Sequence, residues 1–234
     1  MTAEQLAWDD GRPGDQVLHD ASRGCPDLWQ RVVRLGPGER WTREPADGDD
    51  VLFVLAGHGR LQVGEATGLE LEPETAAHVP VAAGYAIDCD GDELVVLVVW
   101  APGAAEPGSG RGTVLRLGDQ EDQAATADRQ FRLLAGPEVG CQSVTQFVGE
   151  IPPGRAPDHY HHYDEVIYVL EGEGVLHLGD RHDSVAPGAA IHLRPRQVHS
   201  LENSGPAAML VLGVFRPAGS PSEAYYPDGT RATY

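Results

Sequence analysis

Gly154-Arg-Ala-Pro-Asp-His159-Tyr-His161-His162-Tyr-Asp-Glu165-Val-Ile-Tyr-Val-Leu-Glu-Gly172 is the stretch whose reading decides the fold. Glycines bracket it, and its second half is a β-branched and aromatic run of strand type. In an extended chain successive side chains alternate faces, so His159 and His161 point the same way and Glu165 keeps that parity. Two imidazoles and a carboxylate on one face suit a divalent transition metal. Downstream, Pro195-Arg-Gln-Val-His199 carries a further histidine behind a proline-marked turn, placed to swing back onto the same centre.

These two stretches resemble the two characteristic motifs of the cupin superfamily. His159-x-His161, three residues, Glu165, six residues and Gly172 follow the first motif, with the spacer after Gly154 one residue shorter than usual. Gly188, His199 and Asn203 follow the second, but Arg194 and Arg196 stand where that motif has a proline and its inner glycine. The resemblance implies an all-β fold of jelly-roll barrels with a metal held by His159, His161, Glu165 and His199. Fe, Mn and Ni are the favoured ions, with Zn and Cu as alternatives. It also brings the expectation of a homodimer.

Working outward, Val51-Leu-Phe-Val-Leu-Ala-Gly-His-Gly-Arg-Leu-Gln-Val-Gly64 repeats Val166-Ile-Tyr-Val-Leu-Glu-Gly-Glu-Gly-Val-Leu-His-Leu-Gly179. The same gapless offset pairs Pro37 with Pro152, Pro80 with Pro195 and Trp100 with Phe215. Two tandem barrels are therefore expected, a bicupin with domains 1–105 and 106–234 divided in the Gly/Pro-rich linker 101–112. The offset sets Glu44, Ala46, Asp50 and Gly84 against His159, His161, Glu165 and His199. The first barrel thus reads as a degenerate copy without metal ligands. Within it, residues 51–64 read as two strands joined by a glycine turn, and Leu94–Trp100 as a buried strand. Residues 1–28 read as a polar arm or a short strand that packs on another part of the protein, and 216–234 as a tail that wraps the barrel or covers its mouth.

Of the remaining residues, Gln146, Tyr168, His177 and His192 are candidates for the pocket lining, weighed against a solvent-facing strand residue for Gln146, a packing ring for Tyr168 and satisfied half-buried histidines for His177 and His192. His162 breaks the parity and reads as outward-facing or as a hydrogen-bond support for a ligand. Tyr160 and Tyr163 read as packing residues, Asn203 as a loop-orienting side chain, and Cys141 as a buried apolar residue and no nucleophile. Catalytic residues are not assigned.

A net charge of -19 and the lack of a basic stripe exclude a nucleic-acid partner. Three widely spaced cysteines without a CxxC pair fit a reducing cytoplasm. No signal peptide or membrane span is visible. The functional expectation is a metal-dependent enzyme acting on a small oxygenated molecule, leaning to dioxygenase-type oxidation. The alternatives are an isomerase or lyase working through an enediolate, and a non-catalytic small-molecule-binding cupin.

Overall fold

The structure is a computed structural model that describes residues 4–5, 13–102, 112–125 and 128–232. The expected boundary at 105/106, most of the linker and the first twelve residues of the arm, apart from 4–5, lie outside the described residues. Two units are distinguished: Trp8–Gln120 with Leu134–Val144, and Met1–Ala7 with Glu121–Leu133 and Thr145–Tyr234. Each is therefore assembled from separated pieces of chain. Both are built of antiparallel strands, as the alternating, glycine- and proline-punctuated sequence requires.

The first of these units holds an eight-stranded sheet whose main path runs Gly14–His19, Trp29–Leu35, Tyr85–Pro102, Gly48–Val63, Thr75–Val79 and Thr113–Arg116. Residues 51–64 do not form two strands. Gly48–Val63 is one strand, bulged between Val54 and Ala56 and again between Gly57 and Gly59. Bulges let a long strand bend without breaking its ladder. Gly57 permits the bend: it has a φ of 82°, and an added Cβ would collide with the Glu93 backbone. Leu94–Ala101 is buried within the strand Tyr85–Pro102, as its apolar run demands. Leu52, Val54, Leu61, Ile87, Leu94 and Val96 form the centre of this unit's core.

The second unit is a two-sheet jelly roll. One sheet has the order Glu4–Gln5, Ala189–Leu193, Asp164–Glu171, Met209–Arg216, Thr145–Ile151, Gln130–Ala135, Gln123–Ala124. The other runs Gly154–Arg155, Ser200–Asn203, Gly174–Leu178, Arg181–Val185. Ile167, Ile191 and Val211 from the first sheet pack with Leu176, Val185 and Leu201 from the second to fill the core. Here the chain does break between Asp164–Glu171 and Gly174–Leu178. Gly172 makes that turn with a φ of 84°, and a Cβ there would sit 2.9 Å from the Met209 Cα.

The ladders align the two units residue by residue. Asp50 lies between Val79 and Trp100, and Glu165 between Leu193 and Phe215. Val51 faces His78 as Val166 faces His192. The offset that pairs Trp100 with Phe215 is therefore not gapless through this region, because His78 corresponds to His192 and not to Leu193. Each of these histidines is buried against an aspartate near the start of the neighbouring strand: His78 Nε2 lies 3.0 Å from Asp49 Oδ1, and His192 Nε2 lies 2.8 Å from Asp164 Oδ1.

Candidate metal centre

His159 and His199 meet across an isolated antiparallel bridge. The His159 amide donates to the His199 carbonyl at 2.9 Å, and the His199 amide donates back at 2.8 Å. His161, two residues on, keeps the parity of His159. One ring nitrogen from each of His159, His161 and His199 lies within 4.8 Å of the others. The turn that returns His199 is closed by the Arg196 amide donating to the His161 carbonyl at 2.7 Å. Arg196 takes the place of the motif's glycine and still adopts the left-handed conformation, with φ 62°.

Hydrogen bonding settles which ring nitrogens are available. Nδ1 of His159 lies 2.9 Å from the Pro157 carbonyl, Nδ1 of His161 lies 2.7 Å from that of Glu223, and Nδ1 of His199 lies 2.9 Å from that of Gln197. A carbonyl can only accept, so each Nδ1 carries the proton and each Nε2 presents a lone pair. This is the usual support of a metal-binding imidazole. Burial holds all three rings below the ordinary histidine range, His161 down to about 4, and their mutual repulsion adds to the effect at His161 and His199. They are neutral near pH 7, which is the form that binds metals.

Glu165 lines the same pocket but lies outside the group of three. It is 3% exposed, and no hydrogen-bond partner reaches its carboxyl group among the described residues. Burial pushes it up to about 8, with the Asp164 charge adding. Gly213 opens the space it occupies, since a Cβ there would meet the Phe147 ring and lie 3.2 Å from Glu165 Oε1.

Gln146, Tyr168, His177 and His192 do not line this pocket; Phe147, Ile167, Leu176 and Leu193 do. Each expected residue is one position from a lining residue, and a period of two sends it to the opposite face. His177 instead contacts Glu202 at 2.7 Å and His182 at 2.8 Å, while His192 binds Asp164. His162 is exposed, against Tyr160 and Tyr225. Asn203 ties its loop to the carbonyls of Ile151 and Ala207.

Two contributors to the pocket, Tyr163 as a lining residue and Arg129, escaped the sequence reading, while the tail expected to wrap the barrel or cover its mouth supplies a third. Tyr163, read there as packing alone, also lines the pocket, and stacks between His161 and Phe215 at 4.6 and 3.9 Å. The tail supplies Pro221 to the lining and the Glu223 carbonyl to His161, and its Tyr225 exchanges backbone bonds with Tyr160. Arg129 also lines the pocket, donating to the Leu201 carbonyl at 2.6 Å. No carboxylate pairs with it among the described residues. It sits in a polar stretch with no periodicity, so no sequence signal marked it.

In the other unit Asp50 stands where Glu165 stands, and Arg43 Nε reaches it at 2.8 Å. Burial raises Asp50 to about 6 against the opposing effect of Arg43. A guanidinium here compensates the carboxylate, and the histidines are missing.

Residues 147–215 match the cupin domain family Cupin_2. That segment of the chain is a cupin domain. An uncharacterized protein of Methanocaldococcus jannaschii, MJ1618, is 30% identical over 73 residues, 30% of this chain. The chain spans 57% of that relative's length. Among solved structures, an IolB-like protein of Salmonella typhimurium superposes with a TM-score of 0.76 at 15% identity, covering 97% of each chain. A variant of the oxalate decarboxylase OxdC of Bacillus subtilis gives 0.73 at 12%, covering 97% of this chain and 80% of that chain. At such identities the likeness is one of fold. No helix among the described residues is long and apolar enough to cross a membrane.

Proposed function

We propose that this cupin is a metal-dependent enzyme that moves a proton on a small anionic, oxygen-rich substrate, as an isomerase or lyase does. The donor set fits a divalent metal: three neutral imidazoles with their Nε2 lone pairs free, with Glu165 in the same pocket outside that group and left to act as a base. A metal bound there would act as a Lewis acid towards a substrate oxygen. Arg129 would hold a carboxylate of the substrate through charge-assisted hydrogen bonds. The apolar wall of Phe131, Ile151, Leu176 and Val211 would exclude water. Glu165 would take a proton from the carbon next to the substrate carbonyl and return it to the neighbouring position. The two halves are read as copies of one ancestral barrel, supported by the matching Asp49–His78 and Asp164–His192 pairs. A cytoplasmic location is supported by three free cysteines.

The observation that carries this reading is Glu165. It is a buried carboxyl without a hydrogen-bond partner among the described residues, raised to about 8, facing the pocket that holds the three histidines and Arg129. Such a group is tuned for proton transfer near neutral pH. The test is deuterium exchange from D2O into a panel of 2-hydroxy and 2-keto carboxylic acids by the Mn-, Fe- or Ni-loaded protein. Exchange is expected at the carbon next to the carbonyl, lost in Glu165→Gln. Oxygen consumption without exchange would overturn it in favour of dioxygenase-type oxidation. Binding without either would favour a small-molecule-binding role.

A further inference from the structure

A second group of side chains able to ligate a metal lies in the other unit. Asp49 is the second residue of the strand Gly48–Val63, His78 sits on Thr75–Val79, and Cys141 follows the turn at Gly140. One ligand atom from each lies within 4.8 Å of the others. Asp49 is 5% exposed, His78 4% and Cys141 0%. His78 Nε2 lies 3.0 Å from Asp49 Oδ1, which also accepts from the Val81 amide at 3.2 Å. Ser143 Oγ donates to Asp49 Oδ2 at 2.5 Å and lies 4.0 Å from Cys141 Sγ.

We propose that Asp49, His78 and Cys141 form a structural zinc site, with the Ser143 hydroxyl or a water completing a tetrahedron. The donor chemistry argues for it. A thiolate, a carboxylate and a neutral imidazole around a dication sum to zero charge, so the complex is neutral where it is buried. Thiolate with imidazole selects zinc over the harder ions that oxygen-rich sites take. Binding releases the Cys141 thiol proton, and the His78 proton where that ring is charged, to solvent. A nucleophilic role is excluded, because a thiol with no exposure has no path to a substrate. The site would clip the 141–143 loop onto two strands remote from it in sequence, since Asp49 and Ser143 are 94 positions apart. It is independent of the reading of the histidine centre.

The test uses a His159→Ala/His161→Ala variant of the full chain, which removes the first centre. After chelation, about one equivalent of zinc is expected to bind and raise Tm by roughly 5–10 °C. Cobalt(II) in its place is expected to give sulfur-to-metal charge-transfer absorption in the near ultraviolet. That band should vanish in Cys141→Ser and persist in Cys25→Ser. A folded variant that binds no zinc overturns the proposal, as does a band that survives loss of Cys141. Should Cys141→Ser not fold, X-ray absorption on the zinc-loaded variant with Cys25 and Cys89 changed to Ser decides. One sulfur at about 2.3 Å supports the site, and a shell of nitrogen and oxygen alone overturns it.

Discussion

The His161 imidazole donates through Nδ1 to the Glu223 carbonyl at 2.7 Å, across 62 positions of sequence. The tail thus fixes the tautomer of a central ring of the candidate metal centre. A chain ending at Ala218 leaves that ring unsupported. Its affinity for Mn(II) or Ni(II), measured by titration calorimetry, is expected to fall on the order of 10–100-fold with the barrel still folded. An unchanged affinity would remove the tail from the site.

The metal-free protein should be most stable near pH 6.5. His161 is near 4 when folded and 6.5 when unfolded, so below 6.5 the unfolded chain takes up a proton that the folded one refuses. Stability falls as pH drops through that window, by on the order of 2–3 kcal/mol from this ring, and His159 and His199 act in the same direction. Glu165 opposes them: burial raises it to about 8, so stability falls as pH rises from 4.5 towards 8. His78 reinforces that upper limb, because the Asp49 bond lifts it to about 9 against the effect of burial. Urea unfolding in chelator at pH 5, 6.5 and 8 checks the order, and a maximum at pH 8 would refute it.

Arg43 and Asp50 should behave as a coupled pair. Arg43→Leu leaves a carboxylate with only 5% side-chain exposure without its cation, and is expected to cost about 3–5 kcal/mol. Replacing both with leucine should recover most of that loss, since neither charge is then buried alone. Denaturant melts of the two single variants and the double variant measure the coupling. Additive losses would contradict it.

Arg196→Gly should stabilise the second unit by about 1 kcal/mol, because Arg196 pays for a left-handed φ of 62° that glycine adopts freely. Thermal melts of the two proteins check this, with metal affinity unchanged because only backbone atoms of residue 196 hold the turn at His161.

The sequence by itself determined the all-β class, the repeat and the order His159, His161, Glu165, His199. Those signals are local: alternation, turn residues and fixed spacing are properties of neighbouring positions. The four pocket candidates show where locality ends. Gln146, Tyr168, His177 and His192 each lie one step from a lining residue, and only the ladder register decides which face turns inward. The bend at Gly57, where two separate strands were expected, was likewise set by its bulged pairing with Tyr85–Pro102. Arg129, the Glu223 carbonyl and the meeting of Asp49, His78 and Cys141 depend on contacts between distant segments. Such contacts form when burial of apolar strand faces brings those segments together, and no spacing along the chain records them.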